Sequence, residues 1–143
     1  MRTKKITKDN HTARIDSPNE AVVRLEVLDK SGNCRHKVLA EIADTPALQA
    51  RGLMFRNELR PDSGMLFTKA GQYWMKNVPV PLDILFIDKA GTVIDVQTMG
   101  TTKQAGLRLY TCRESDPSCA LELPGNTAAR TGIILGDYLV VRR

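Results

Sequence analysis

Short segments in which apolar and polar residues alternate are the feature that most constrains the fold of this chain. Residues 21–29 and 34–43 alternate in this way, and the turn-forming residues 30–33 join them. Residues 83–88 and 92–99 form a second such pair around a tight turn. A period of two is typical of strands that bury one face. The pattern therefore predicts two hairpins as the framework of the fold.

Helix signals are few and short. Thr45 can cap a helix, Pro46 suits its first turn and Gly52 suits its end, so we predict a helix over residues 46–51. At most one further turn is predicted, over residues 127–130. Because no long helix alternates with the strands, a doubly wound parallel sheet is not expected. We expect a mainly β (β-rich α+β) fold: a small antiparallel sandwich or partly closed barrel with one or two short helices.

The length of 143 residues predicts one globular domain, over residues 21–143, preceded by a flexible basic tail over residues 1–20. The formal net charge is +5, but residues 1–14 and the last two residues hold seven of the 21 basic groups and one of the 16 acidic groups. Residues 15–141 therefore have a net charge of −1. Basicity that is confined to the ends of a chain does not favour nucleic-acid binding. We expect a monomer.

The chain contains no apolar run near the roughly 20 residues that span a bilayer. Its first residues are charged and no apolar stretch follows them, so the sequence as written has no signal peptide. This predicts a cytoplasmic protein. If a leader has been removed, the protein would instead be exported or periplasmic.

The three cysteines are Cys34, Cys112 and Cys119, and they lack the spacing of a metal site or a redox pair. No metal or cofactor is therefore predicted. Cys112 and Cys119 flank a polar turn and could form a disulfide. In an oxidising compartment such a bridge would stabilise the fold by roughly 2–3 kcal/mol, whereas in a cytosol both residues would stay thiols. The sequence leaves both alternatives open.

Distinctive residues are concentrated between positions 74 and 83. Trp74 is either a core aromatic or one wall of a ligand pocket. Lys76 is costly to bury, so it is either solvated or paired with a carboxylate such as Asp83 or Glu122. Asn77 precedes a proline-rich bend and suits a turn in which its side chain bonds the backbone.

Asp83 opens a predicted strand, where aspartate is disfavoured, so a partner should satisfy it. A backbone amide, a salt bridge to Arg51 or Lys76, and a catalytic role are the three alternatives. Arg51 lies where a helix end favours a cation, and it could also hold a ligand carboxylate or phosphate. Glu122 lies between two leucines and by alternation faces away from them, towards the same polar pocket.

Six short blocks of the sequence occur in an order and at distances that match a known family. The blocks are RGLMFR (51–56), GMLF (64–67), WMKN (74–77), PLDILFID (81–88), LEL (121–123) and GIILGD (132–137). Together they resemble the prokaryotic "domain of unknown function 192" family over about residues 38–141. The resemblance implies a jelly-roll-like, all-β sandwich with short helices, in a family with many exported or lipid-anchored members. It implies no established activity.

The sequence contains no Ser-His-Asp arrangement, no cluster of metal ligands and no glycine-rich phosphate loop, so no catalytic residue is assigned. We expect a small-ligand or peptide binding module, or an accessory module, with a polar and aromatic cleft. The alternatives are an enzyme that uses a lysine–carboxylate pair and a purely structural or interaction domain. The candidate cleft residues are Arg51, Trp74, Lys76, Asn77, Asp83 and Glu122.

Overall fold

The computed structural model describes residues 21–142 and, in addition, the backbone of Lys4–Lys5. Its main element is one sheet of eight strands, which confirms the mainly β class. The strands are β1 (Lys4–Lys5), β2 (Val22–Leu28), β3 (Cys34–Ala43), β4 (Ser63–Phe67), β5 (Leu82–Ile87), β6 (Val93–Met99), β7 (Cys119–Pro124) and β8 (Tyr138–Arg142). The rest of the tail predicted over residues 1–20 lies outside the described residues.

Three short helices accompany the strands in the described part of the chain: α1 (Pro46–Arg51), α2 (Thr102–Ala105) and α3 (Thr127–Thr131). Helix α1 has the predicted bounds, and the hydroxyl of Thr45 accepts a hydrogen bond from the Leu48 amide. Helix α2 was not predicted, although Thr101 and Gln104 form a reciprocal capping box at its start. None of the described helices is long and apolar enough to cross a membrane.

The strand order is β1-β8-β2-β3-β4-β7-β5-β6, and β3 and β4 are the one parallel pair among the pairings described. The sheet curls until the start of β6 meets the start of β8, where the Val93 amide donates to the Asp137 carbonyl. The result is a half-barrel, so of the two expected architectures the partly closed barrel describes it better. The sheet is mixed rather than wholly antiparallel, because residues 44–62 return the chain to pair β4 parallel to β3. The sandwich of jelly-roll type is not confirmed.

Apolar side chains are buried on both faces of the sheet. Strand β5 is buried along its whole length, with Leu85 and Ile87 in the cluster inside the curl and Ile84 and Phe86 in the cluster on the outer face. Loops and the short helices α1 and α2 cover that outer cluster. We call residues 45–60, 68–80 and 100–112 the covering segments.

The sequence of residues 72–77 (QYWMKN) predicts a strand, with Tyr73 and Met75 on one face and Trp74 and Lys76 on the other. This prediction is wrong. Only Tyr73 makes a bridge, to Tyr110. Asn77 adopts a left-handed backbone conformation with φ of 61°, and Pro79 lacks an amide hydrogen, so the segment turns away from regular pairing. Residues 72–80 therefore form part of the cover over the sheet rather than part of the sheet itself.

Candidate functional site

A cavity of about 110 Å³ lies between the outer face of the sheet and two of the covering segments. We call it the Glu122 cavity. It is lined by Gln49–Met54, Phe67, Gln72–Trp74, Val78 and Glu122. Three of the six predicted cleft residues therefore line this cavity. They are Arg51 at the end of α1, Trp74 of the segment 68–80 and Glu122 of β7.

Glu122 forms part of the floor of this cavity. It is 4% exposed, and in the sheet it lies between Met65 of β4 and Ile84 of β5, neither of which carries a charge. Within residues 21–142, its carboxyl group makes no hydrogen bond and no ion pair. Burial raises the pKa of Glu122 to about 8, because the charged form would lose its hydration. At neutral pH the carboxyl is therefore mostly protonated.

Trp74 and Arg51 line the same cavity from the side of the covering segments. Trp74 is 44% exposed, so a large part of its ring is open to solvent. The ammonium of Lys76 lies 5.3 Å from the centre of that ring, within the range of a cation–π contact. Lys76 is exposed and is thus solvated, one of the two states expected of it. Arg51 lies in the last turn of α1, as predicted.

A wider groove of about 670 Å³ adjoins the cavity, and Val78 lines both. We call it the Phe55 groove; it is lined by Phe55, Asn57, Asn77–Pro79 and Thr101–Lys103. Phe55 is 71% exposed and has φ of 65°, and its amide donates to the carbonyl of Asn77 at 2.7 Å. A bulky residue in the left-handed region is strained, and such strain is often found where a protein holds a ligand.

Asp83 lies apart from both spaces, at the start of β5. Its carboxylate accepts hydrogen bonds from the Asn126 amide at 3.3 Å and the Ala128 amide at 2.8 Å. The Thr98 hydroxyl donates to it at 3.3 Å. Of the alternatives that the sequence left open, the backbone amide accounts for the placement of Asp83. This residue holds the first turn of α3 against β5.

A second buried glutamate lies in the same row of the sheet and was not predicted. Glu41 of β3 pairs with Met65, which in turn pairs with Glu122. Unlike Glu122, Glu41 is held by both terminal nitrogens of Arg56, one of them at 2.8 Å. The alternation in β3 gives the face of the sheet on which Glu41 lies. Its partner Arg56 belongs to a covering segment, which only the fold brings near Glu41.

Cys34, Cys112 and Cys119 are free thiols. Cys119 packs into the cluster inside the curl, whereas Cys112 packs against the cluster on the outer face. The sheet thus separates Cys112 from Cys119, and the disulfide suggested by the sequence is not formed in this structure. Within residues 21–142, no three His, Cys, Asp or Glu side chains are grouped so that they could hold a metal ion.

Comparison with known proteins gives a family but no activity. Residues 26–141 match DUF192, described as "Uncharacterized ACR". A "putative transcription regulator" from Sinorhizobium meliloti 1021 has a similar structure, with a TM-score of 0.73 and 31% identity, over 87% of this chain and 97% of its own. A protein of unknown function from Novosphingobium aromaticivorans DSM 12444 has a TM-score of 0.79 and 30% identity, over 97% of this chain and 99% of its own. No curated protein matches. The family that the six sequence blocks predicted is confirmed, and this protein belongs to the uncharacterised DUF192 family.

Proposed function

We propose that this protein is a binding module that takes a small ligand, or the end of a peptide, into the Glu122 cavity and the adjoining Phe55 groove. The observation that carries the proposal is the buried carboxyl of Glu122, which lines a cavity and has no partner among the described residues. A buried polar group without a hydrogen bond costs roughly 1–3 kcal/mol. A leucine at this position would avoid that cost, and this favours a binding role for Glu122 over a purely structural one.

The size of the two spaces suggests how a ligand is divided between them. A cavity of about 110 Å³ is smaller than the roughly 300–1,000 Å³ of typical ligand pockets, so it suits one small group rather than a whole ligand. The Phe55 groove, at about 670 Å³, is large enough for the remainder. The exposed rings of Phe55 and Trp74 provide apolar contact area beside these two spaces.

The enzyme alternative has less support than binding. It requires a lysine beside a carboxylate, and the ammonium of Lys76 faces the ring of Trp74 instead. Glu122, whose pKa of about 8 suits proton transfer near neutral pH, has no nucleophile or second carboxylate beside it in the lining of the cavity.

Two substitutions on α1 test the proposal with a matched control. Ala50 lines the cavity and is exposed, so Ala50→Phe should fill the entrance without disturbing the core. Ala47 is an exposed alanine on the same helix that does not line the cavity, so Ala47→Phe is the control. A library of small molecules and short peptides would be screened by thermal shift and by the fluorescence of Trp74, the single tryptophan of the chain.

We expect at least one compound to stabilise the wild type and the Ala47→Phe variant but not the Ala50→Phe variant. The proposal fails if no compound binds, or if every compound that binds does so equally well to the Ala50→Phe variant.

A further inference from the structure

We infer that the group bound in the Glu122 cavity is a carboxylate, which receives hydrogen bonds from the side chains of Glu122, Gln72 and Arg51. This inference rests on the proposed function and names the chemistry of the ligand. It follows from the hydrogen-bonding character of the cavity, from the charge of the covering segments and from the cavity's size.

Several of the polar side chains that line the cavity can offer a donor to a ligand. The guanidinium of Arg51 can only donate, and the amide of Gln72 carries two N–H donors. The amide of Gln49 already donates to the Ala43 carbonyl at 3.1 Å. Glu122 is the acidic residue of the lining, and because burial keeps it protonated at neutral pH it supplies an O–H donor. A ligand group rich in acceptors is the complement of these donors.

Among the described residues, no neighbouring charge lowers the pKa of Glu122 and so ionises it at neutral pH. Arg51 lines the cavity from α1, but burial alone shifts the pKa of Glu122, without a contribution from Arg51. Tyr73 contributes a phenol whose pKa is raised by burial, so it stays neutral. Met65 and Ile84 flank Glu122 in the sheet and are uncharged. The next acidic residue in that row, Glu41, is held by an arginine from a covering segment.

The covering segments are strongly basic, although residues 15–141 as a whole are slightly acidic. They contain seven lysines and arginines and one acidic residue, Glu58. Arg56 is paired with Glu41 and Arg60 with Asp62, and the other five cations still outnumber Glu58. Arg51 lines the Glu122 cavity, Lys76 lies over the ring of Trp74, and Lys103 lines the Phe55 groove. A surface of one sign raises the local concentration of ligands of the opposite sign, so this surface favours an anion over a cation.

A carboxylate also fits the walls and the volume. The cavity is bounded largely by apolar and aromatic side chains, including Leu53, Phe67 and Val78, so it suits a carboxyl group on a short hydrocarbon chain. A hydrogen bond from a neutral carboxyl to a carboxylate is charge-assisted and therefore stronger than one between two neutral groups.

Three probes of similar size distinguish the ligand chemistries: butyrate, its neutral analogue butyramide and the cation n-butylammonium. Binding would be measured at pH 7 by calorimetry and by Trp74 fluorescence. We expect saturable binding of butyrate and at least roughly tenfold weaker binding of the other two, because each lacks the charge-assisted hydrogen bonds. A tripeptide with a free carboxyl terminus, compared with the same tripeptide amidated, tests whether a peptide end can supply the carboxylate.

Two variants of Glu122 test the assigned donor. Glu122→Gln keeps an N–H donor, so butyrate affinity at pH 7 should stay within about threefold of wild type. Glu122→Leu removes the donor and should weaken binding roughly tenfold or more.

The dependence of binding on pH gives a readout in the wild type itself. Butyrate stays ionised from pH 6 to 9, so above the pKa of Glu122 at about 8 its affinity should fall by about tenfold per pH unit as the donor is lost. The Glu122→Gln variant should show no such fall, and a fall that persists in it would overturn the inference.

If n-butylammonium binds and butyrate does not, and Glu122→Gln abolishes that binding, then Glu122 acts as a counter-ion. The carboxylate inference is then wrong while the proposed binding function stands. If none of the probes and none of the screened compounds shows binding that the Ala50→Phe substitution blocks, the proposed function fails as well.

Discussion

The contribution of Glu122 to the free energy of unfolding should decrease as the pH rises from about 4.5 to about 8, because Glu122 is protonated in the folded protein and ionised in the unfolded chain. In the unfolded chain its pKa is near the ordinary value of 4.5, and burial raises it to about 8 in the folded state. Between these two values the folded state retains a proton that the unfolded state releases. A rising pH therefore favours unfolding across this window and has no further effect through Glu122 above it.

The magnitude follows from the width of the window. One pKa unit corresponds to about 1.4 kcal/mol, so the difference between 4.5 and about 8 corresponds to about 5 kcal/mol. This is a large part of the roughly 5–15 kcal/mol that stabilises a typical domain. The Glu122→Gln variant has nearly the same shape and cannot ionise, so its stability should not contain this contribution.

The assay is urea unfolding of the wild type and of Glu122→Gln at several values between pH 4.5 and pH 8.5, followed by circular dichroism and by Trp74 fluorescence. At each pH the free energy of unfolding of the wild type is subtracted from that of Glu122→Gln. The subtraction removes the effect of the other titrating groups. We expect the difference to change by about 5 kcal/mol in favour of the variant between the two ends of the range. Glu58→Gln, the same substitution at an exposed glutamate of a covering segment, is the matched control.

Two parallel curves for the wild type and Glu122→Gln would refute this reasoning. They would mean that Glu122 ionises as readily in the folded state as in the unfolded chain. The protonated donor that the carboxylate inference requires would then be absent at neutral pH.

Three further changes test the fold around the site. Asp83→Ala should lower the free energy of unfolding by about 2–4 kcal/mol, because it leaves two backbone amides at the start of α3 without their acceptor. An unchanged urea midpoint would contradict that role. Gly64→Ala should destabilise by about 1–3 kcal/mol in thermal unfolding, since the added carbon would lie 2.8 Å from a backbone oxygen of β7; a melting temperature equal to that of the wild type would count against the close approach. Cys119 should resist a thiol reagent at pH 8 until denaturant is added, because burial raises its pKa to about 12, whereas the exposed Cys34 should react in the folded protein. Equal labelling of Cys119 and Cys34 without denaturant would contradict this prediction, because it would mean that β7 opens readily in the folded protein.

Local chemistry determined most of the secondary structure, and the sequence alone was enough to predict it. Strand β3 has the predicted bounds, Cys34–Ala43, because alternation with a period of two is a property of consecutive residues. Helix α1 has its predicted bounds for a similar reason, since its cap and its proline act on neighbouring amides. Where local signals competed, as in residues 72–77, the aromatic and apolar residues suggested a strand, but the backbone turned to cover the sheet.

Only the tertiary structure decided which of the distinctive residues share a site. Trp74, Lys76 and Asp83 are close in sequence, yet Asp83 faces the start of α3 while Trp74 lines the Glu122 cavity. Arg51 and Glu122 are 71 positions apart and meet at one cavity because β4, β7 and α1 come together. A pattern of alternation gives the face on which Glu122 lies, but not what covers that face. The burial that keeps its carboxyl protonated depends on that cover, because the energy of a charge is set by the atoms around it in space rather than along the chain.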